Sequence, residues 1–145
     1  MTASAAVPGP TSPSSVSYGT GLAAVPAAGQ AVSTAHPDHV IGDGSPAGCT
    51  SSAVVAAVAA GGVITFSCGP KPMTIVMTAT AKVRNTSAEV VLDGGGKVTL
   101  SGAGARRILY QDTCDPAQTW STSHCQDQAT PHLVVQNLTL ANGNS

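Results

Sequence analysis

The sequence predicts an all-β fold with one short helix, preceded by a disordered leader. Three observations carry this. Short segments of alternating apolar and polar residues run from Val63 to Leu140, most of them punctuated by Gly, Pro, Asn or Asp. Aromatics make up only 3% of the 145 residues, and Val, Leu, Ile, Ala, Thr and Gly dominate instead, which suits thin β layers better than a helical bundle. Four cysteines fall into two local pairs, Cys49/Cys68 and Cys114/Cys125, in a chain rich in Ser, Thr and Gly.

The leader is expected over residues 1–38. Pro8, Pro10, Pro13, Pro26 and Pro37 interrupt an Ala/Ser/Thr/Gly background with no consistent period, a composition that cannot bury a core. This stretch holds no Lys or Arg, so no secretory signal peptide is legible in it. No run of apolar residues reaches membrane-spanning length.

A single domain is expected over 39–145. It opens on Val40-Ile41, followed by the turn residues Gly42-Asp43-Gly44-Ser45-Pro46. Thr50, Ser51 and Ser52 offer an N-cap for a helix through Ala60, and Gly61-Gly62 offers its C-terminal stop. Val54, Val55 and Val58 share one face, and so short a helix needs an apolar surface beneath it. Strands are predicted at 63–67, 74–78, 82–85, 89–93, 98–101, 107–111 and 133–140, the last with a bend. Ile64/Phe66, Ile75/Met77, Val98/Leu100 and Leu133/Val135 alternate with mostly polar neighbours, which gives each strand one buried face. An antiparallel sandwich and a stack of parallel coils both fit this pattern, and periodicity does not choose between them.

Two function classes are excluded early. Charged residues are 9% of the chain and the net charge is −1, so there is no basic surface to meet nucleic acid and no polybasic segment for an anionic membrane. The cysteines point to disulfides and an oxidising compartment, hence a secreted or cell-surface protein. Three connectivities are open. Local pairing is favoured because each bond would close a short loop. Zinc is the competing use, but no Cys-x-x-Cys spacing is present.

The residues also carry a resemblance. The run from Gly42 through Cys49-Thr50, the Ala/Val helix, and Gly61-Gly62-Val63-Ile64-Thr65-Phe66-Ser67-Cys68 resemble the N-terminal cap of bacterial secreted right-handed parallel β-helix proteins. These are pectate-lyase-like in fold and related to polymorphic outer-membrane and adhesin-like repeat proteins. The segments Val91-Leu92-Asp93-Gly94-Gly95-Gly96-Lys97-Val98 and Leu133-Val134-Val135-Gln136-Asn137-Leu138 resemble their first coils. The resemblance implies a right-handed parallel β-helix with a capping helix at 51–60, present here as an N-terminal fragment of few coils. It further implies that Ile64, Val91, Leu100 and Leu138 line up inward, and that the last strand faces either further coils or a second copy.

Candidate sites are few. Asp112, Asp115 and Asp127 offer oxygen ligands for Ca²⁺, and Trp120 offers a ring for a sugar. The competing reading of this segment is a wet surface loop closed by Cys114 and Cys125. Asp93 ahead of three glycines is read as a strand-ending turn residue rather than a catalytic carboxylate. Arg106-Arg107 is read as a solvated or capping pair, and Asn137 as a bend residue whose amide bonds backbone. No catalytic residue, metal site or cofactor is assigned. The function expected is a non-catalytic structural or adhesive module of a secreted or cell-surface protein, with an extracellular polysaccharide or cell-surface glycan as partner. The alternative is the N-terminal part of a polysaccharide lyase or glycoside hydrolase whose active site lies on further coils.

Overall fold

A computed structural model describes residues 24–119 and 122–145. The chain divides into two compact units, residues 1–30 and 31–145. In the first, the described part contains a single 3₁₀ turn, Ala27–Gly29, closed by the Gly29 N–H on the Pro26 carbonyl at 2.8 Å.

The second unit begins eight residues before the expected domain start. Asp38 donates its backbone N–H to the Val63 carbonyl at 2.8 Å, and its carboxylate accepts the Val63 N–H at 2.7 Å. Val32 exchanges two hydrogen bonds of 2.9 Å with the side-chain amide of Gln136. Residues 31–38 are thereby tied to the sheet.

Strand β1 (His39–Ile41) leads through a Pro46–Gly48 3₁₀ turn into helix α1 (Ser51–Ala60). The Thr50 hydroxyl accepts the Ala53 N–H at 3.2 Å and caps α1, and Gly61 ends the helix at φ 81°, where a side chain would be strained. Val54 and Val58 are completely buried, while Val55, expected on the same face, is only half-buried. The remaining strands are β2 (Gly62–Phe66), β3 (Met73–Val76), β4 (Ala81–Lys82), β5 (Glu89–Ser101), β6 (Leu109–Tyr110) and β7 (His132–Ala141).

Every strand pairing is parallel. One sheet runs β1-β2-β5-β3, with β7 on the other side of β5, and β4 pairs β6 in a second sheet. β5 is the spine. Its first half takes β2, its second half takes β3, and β7 runs alongside both halves. The strands expected at 89–93 and 98–101 are thus one strand with an irregularity. Against β7, Asp93 pairs Gln136 and Val98 pairs Leu138, so four residues of β5 bulge opposite Asn137 alone. Asn137 takes φ 49°, which an Asn tolerates. Gly94 is required there, because a Cβ would lie 2.6 Å from the Asn137 carbonyl oxygen.

The expected all-β, right-handed parallel β-helix is corrected. The described residues form a mixed architecture, 18% helical and 32% strand, with parallel sheets but no repeating solenoid shown. The reason is visible in the packing. α1 is an integral part of the core, its Val54, Ala57 and Val58 clustering with Ile41, Ile64, Ile75, Met77, Leu92 and Leu100. Two of the predicted strands, at 82–85 and 107–111, shrink to the two-residue strands β4 and β6. Beyond β4, the Asn85 side-chain amide donates to the Asp112 and Thr119 carbonyls at 3.1 and 2.9 Å.

The expected inward row is also corrected. Ile64 pairs Leu92, not Val91, and Val91 pairs Val63. Val91 is buried yet lies outside the main cluster, so β5 is covered on both faces there. Leu100 pairs Ile75 and Leu140, whereas Leu138 pairs Val98.

Both disulfides form in the local pairing, Cys49–Cys68 and Cys114–Cys125, with Cα separations of 5.7 and 5.0 Å. They are compatible with an extracellular location. Among the described residues, no helix is long and apolar enough to cross a membrane.

Candidate functional site

The sequence places Lys82 and Tyr110 at the ends of two very short strands, and the parallel register of β4 and β6 sets them side by side. Two backbone bonds and one side-chain bond hold that register. The Ala81 and Val83 N–H groups donate to the Ile108 and Tyr110 carbonyls, each at 2.9 Å, and the Thr80 hydroxyl donates to the Arg107 carbonyl at 2.8 Å. Ala81 and Val83 are fully buried, so the alternation leaves Lys82 outward.

Tyr110 organises the charges around it. The Lys82 ammonium stands 5.8 Å and the Arg107 guanidinium 5.4 Å from its ring centroid, both within cation–π range. At its other end, the hydroxyl donates to Asp115 at 3.0 Å and to Asp112 at 3.3 Å. Burial first, and then the hydrogen bonds and charges of Asp115 and Asp112, push the Tyr110 hydroxyl above its ordinary pKa. Asp115 moves the other way. It accepts the Ala117 N–H at 2.9 Å, and that bond, with the Tyr110 hydroxyl, holds it below the usual carboxylate range despite some burial.

Arg106 is pinned by donating one guanidinium nitrogen to the Thr78 carbonyl. Its Nε is buried and has no partner. Thr80, Lys82, Arg106, Arg107, Tyr110, Asp115 and the tail residue Asn144 surround an open cleft of about 420 Å³. Asn144 is held in place by its N–H on the Arg106 carbonyl at 3.0 Å and its side-chain amide on the Gly104 carbonyl at 3.1 Å. Of the pair expected to be solvated or capping, Arg107 is exposed and Arg106 is half-buried and donates to a backbone carbonyl. One arginine is buried at its Nε and the other lies over a ring.

The Ca²⁺ candidates do not assemble. Asp112 and Asp115 converge on Tyr110 and cap backbone N–H groups of Cys114 and Ala117. Asp127 sits in a separate 3₁₀ turn, Cys125–Asp127, and takes no part in those bonds. Among the described residues, no group of three or more His, Cys, Asp or Glu is placed to hold a metal ion. Trp120, the expected sugar contact, lies outside the described residues.

Asp93, expected to end a strand, instead sits inside β5 at the start of its bulge. Its carboxylate accepts the Gly95 N–H at 2.9 Å, as a turn residue would, but also the Gln136 amide at 2.9 Å, the Asn137 amide at 3.1 Å and the Thr34 hydroxyl at 3.1 Å. Burial raises its pKa, yet these four donors outweigh burial and hold it below the ordinary 3.8. The Asn137 amide reaches this carboxylate rather than backbone. The group is a saturated clasp, with no open position for a substrate.

Lys82 and Tyr110 went unnoticed in the sequence. Their signal is the shared pattern Ala81-Lys82 and Leu109-Tyr110, a small or apolar residue followed by an amphipathic one, which only the parallel pairing makes meaningful. Comparison with known proteins finds no matching family model, no similar curated protein and no similar solved structure.

Proposed function

We propose that the chain is a non-catalytic structural or adhesive module of a secreted or cell-surface protein, and that it associates with a second copy through β7. The observation that carries this is the free edge of β7. Its ten residues pair β5 on one side, and among the described residues no strand pairs the other. An unpaired strand edge is a template for another strand. Natural edges are usually blunted by lysine or proline, yet β7 contains no Asp, Glu, Lys, Arg or Pro. Two copies therefore meet edge to edge without charge repulsion. Val135 and Leu140 are 39% and 45% exposed on this strand and would be covered by such a contact. Two disulfides that staple the molecule suit service outside the cell.

Sedimentation velocity over a concentration series tests the reading. Wild-type protein should show a rising weight-average sedimentation coefficient, and Val135→Lys or Leu140→Lys should return it to the monomer value. A monomer at every concentration, or lysine variants that associate like wild type, overturns the β7 reading. Release of shortened chains from an offered polysaccharide overturns the non-catalytic one.

A further inference from the structure

We propose that the surface which takes the free edge of β7 is the β1 edge and the outer face of α1 on a second copy, so that copies join head to tail. The inference rests on the β7 reading above and names the other half of that contact. β1 ends the sheet opposite β7. The strand order is β1-β2-β5 with β7 beyond β5, and among the described residues no strand pairs the far side of β1. β1 contains no Asp, Glu, Lys, Arg or Pro, the residues that blunt an edge. Beside it lies a groove of about 480 Å³, lined by Val40 and Ile41 of β1 and by Ala53, Ala56 and Ala60 of α1. The one carboxylate in its lining, Asp38, already accepts the Val63 N–H at 2.7 Å.

α1 itself points to a covering partner. Val54, Ala57 and Val58 face the core, yet the other side is apolar too. Ala56 and Ala60 are exposed, Val55 and Ala59 are half-buried, and Ser51–Ala60 holds no charged residue. A helix at a permanent surface carries a polar face, and one that is apolar all round is a buried helix. β7 supplies the matching surface. Ile64, Leu92 and Val135 lie in one register row across β2, β5 and β7, so their side chains share a face of the sheet. Ile64 and Leu92 cluster with α1 on that face. Adding β7 of one copy to β1 of the next therefore carries the exposed Val135 to the α1 side, into the groove. Strand direction separates this contact from a pairing of β7 with β7. Two β7 strands related by a twofold axis that keeps their apolar faces together run antiparallel, whereas β7 on β1 continues the parallel order of every other pair. A β7–β7 contact closes as a dimer. A β7–β1 contact leaves one free edge at each end and grows.

Sedimentation velocity on single variants and on their mixture is the test. Wild-type protein should form species larger than a dimer as concentration rises. Ala56→Lys puts a charge in the groove and should sediment as a monomer although its β7 is unchanged. Val135→Lys should do the same although its β1 and α1 are unchanged. Mixed in equal amounts, the two variants should form a dimer containing one of each and grow no further, because each retains the surface that the other has lost. Should Ala56→Lys not fold, Val40→Lys, at an exposed position of β1, takes its place. A wild type that stops at the dimer, a groove variant that associates like wild type, or a mixture that stays monomeric overturns the head-to-tail contact. A groove variant that associates while Val135→Lys does not would sink this inference alone, leaving β7 to pair with β7. A wild type that is monomeric at every concentration overturns both readings.

Discussion

At Asp93 a carboxylate only 9% exposed is held by four neutral donors, one from its own turn, two from β7 and one from Thr34. A charge in such a place is costly without partners and stabilising with them. Replacement by asparagine puts an amide where both oxygens now accept, so one pair of donors loses its acceptor. Asp93→Asn should lower stability by about 1–3 kcal/mol at neutral pH, read from urea unfolding. The pH dependence has a definite sign. The folded pKa lies below 3.8, so the carboxylate stabilises fully above that value, and its contribution is lost as pH falls through the folded pKa. The gap between wild type and variant should therefore be flat from neutral pH to about 5 and shrink below 4. A gap that instead widens on acidification would mean that the donors do not favour the charged form. The turn at Asp93-Gly94-Gly95 was legible in the sequence, since its chemistry is local. The clasp was not, because Thr34, Gln136 and Asn137 lie about 40 to 60 residues away in sequence and only the β5–β7 register brings them in.

Among the elements, α1 was the most readable. Its cap, length and stop are written in consecutive residues, and the structure places it at Ser51–Ala60 with Thr50 as cap. The strands were less readable. β4 and β6 are two residues each, too short for alternation to register, and β5 hides a bulge that split it into two expected strands. α1 holds its place through more than apolar contact. Ser51 Oγ accepts both the N–H and the hydroxyl of Thr78, at 2.9 and 3.1 Å. Cys49–Cys68 ties the start of α1 to the residues after β2 across a separation of 19 residues. Closing a loop of that size in the unfolded chain is worth about 3 kcal/mol. The pair Cys49→Ser/Cys68→Ser should lower unfolding stability by about that amount. Cys114→Ser/Cys125→Ser, which opens a shorter loop in a region with fewer buried side chains, should cost less. Equal or reversed losses in chemical denaturation would show that the first bond does not anchor the cap.

For the molecule as a whole, burial is graded across parallel neighbours, and this explains both how it holds together and how it meets a partner. Ile75, Leu100 and Leu140 lie in one register row across β3, β5 and β7. Their exposures are 3%, 0% and 45%, so the row runs from the core out to the free edge. The aliphatic composition at 98–101 and 138–140 reads the same in sequence, and nothing local tells the central leucine from the edge one. That distinction depends on which strands flank each, a property of topology alone. The same truncation at the two positions should accordingly have different consequences. Leu100→Ala removes side-chain atoms from a fully enclosed site and leaves a cavity, and should cost about 3–5 kcal/mol in the monomer. Leu140→Ala changes a half-exposed residue and should cost under about 1 kcal/mol there. At concentrations where two copies pair through β7, the second substitution should cost more, since the contact that buries Leu140 exists only in the pair. Urea unfolding of both variants at low and high protein concentration measures this. If the Leu140→Ala loss is the same at both concentrations while wild type associates, the edge of β7 is not where the copies meet.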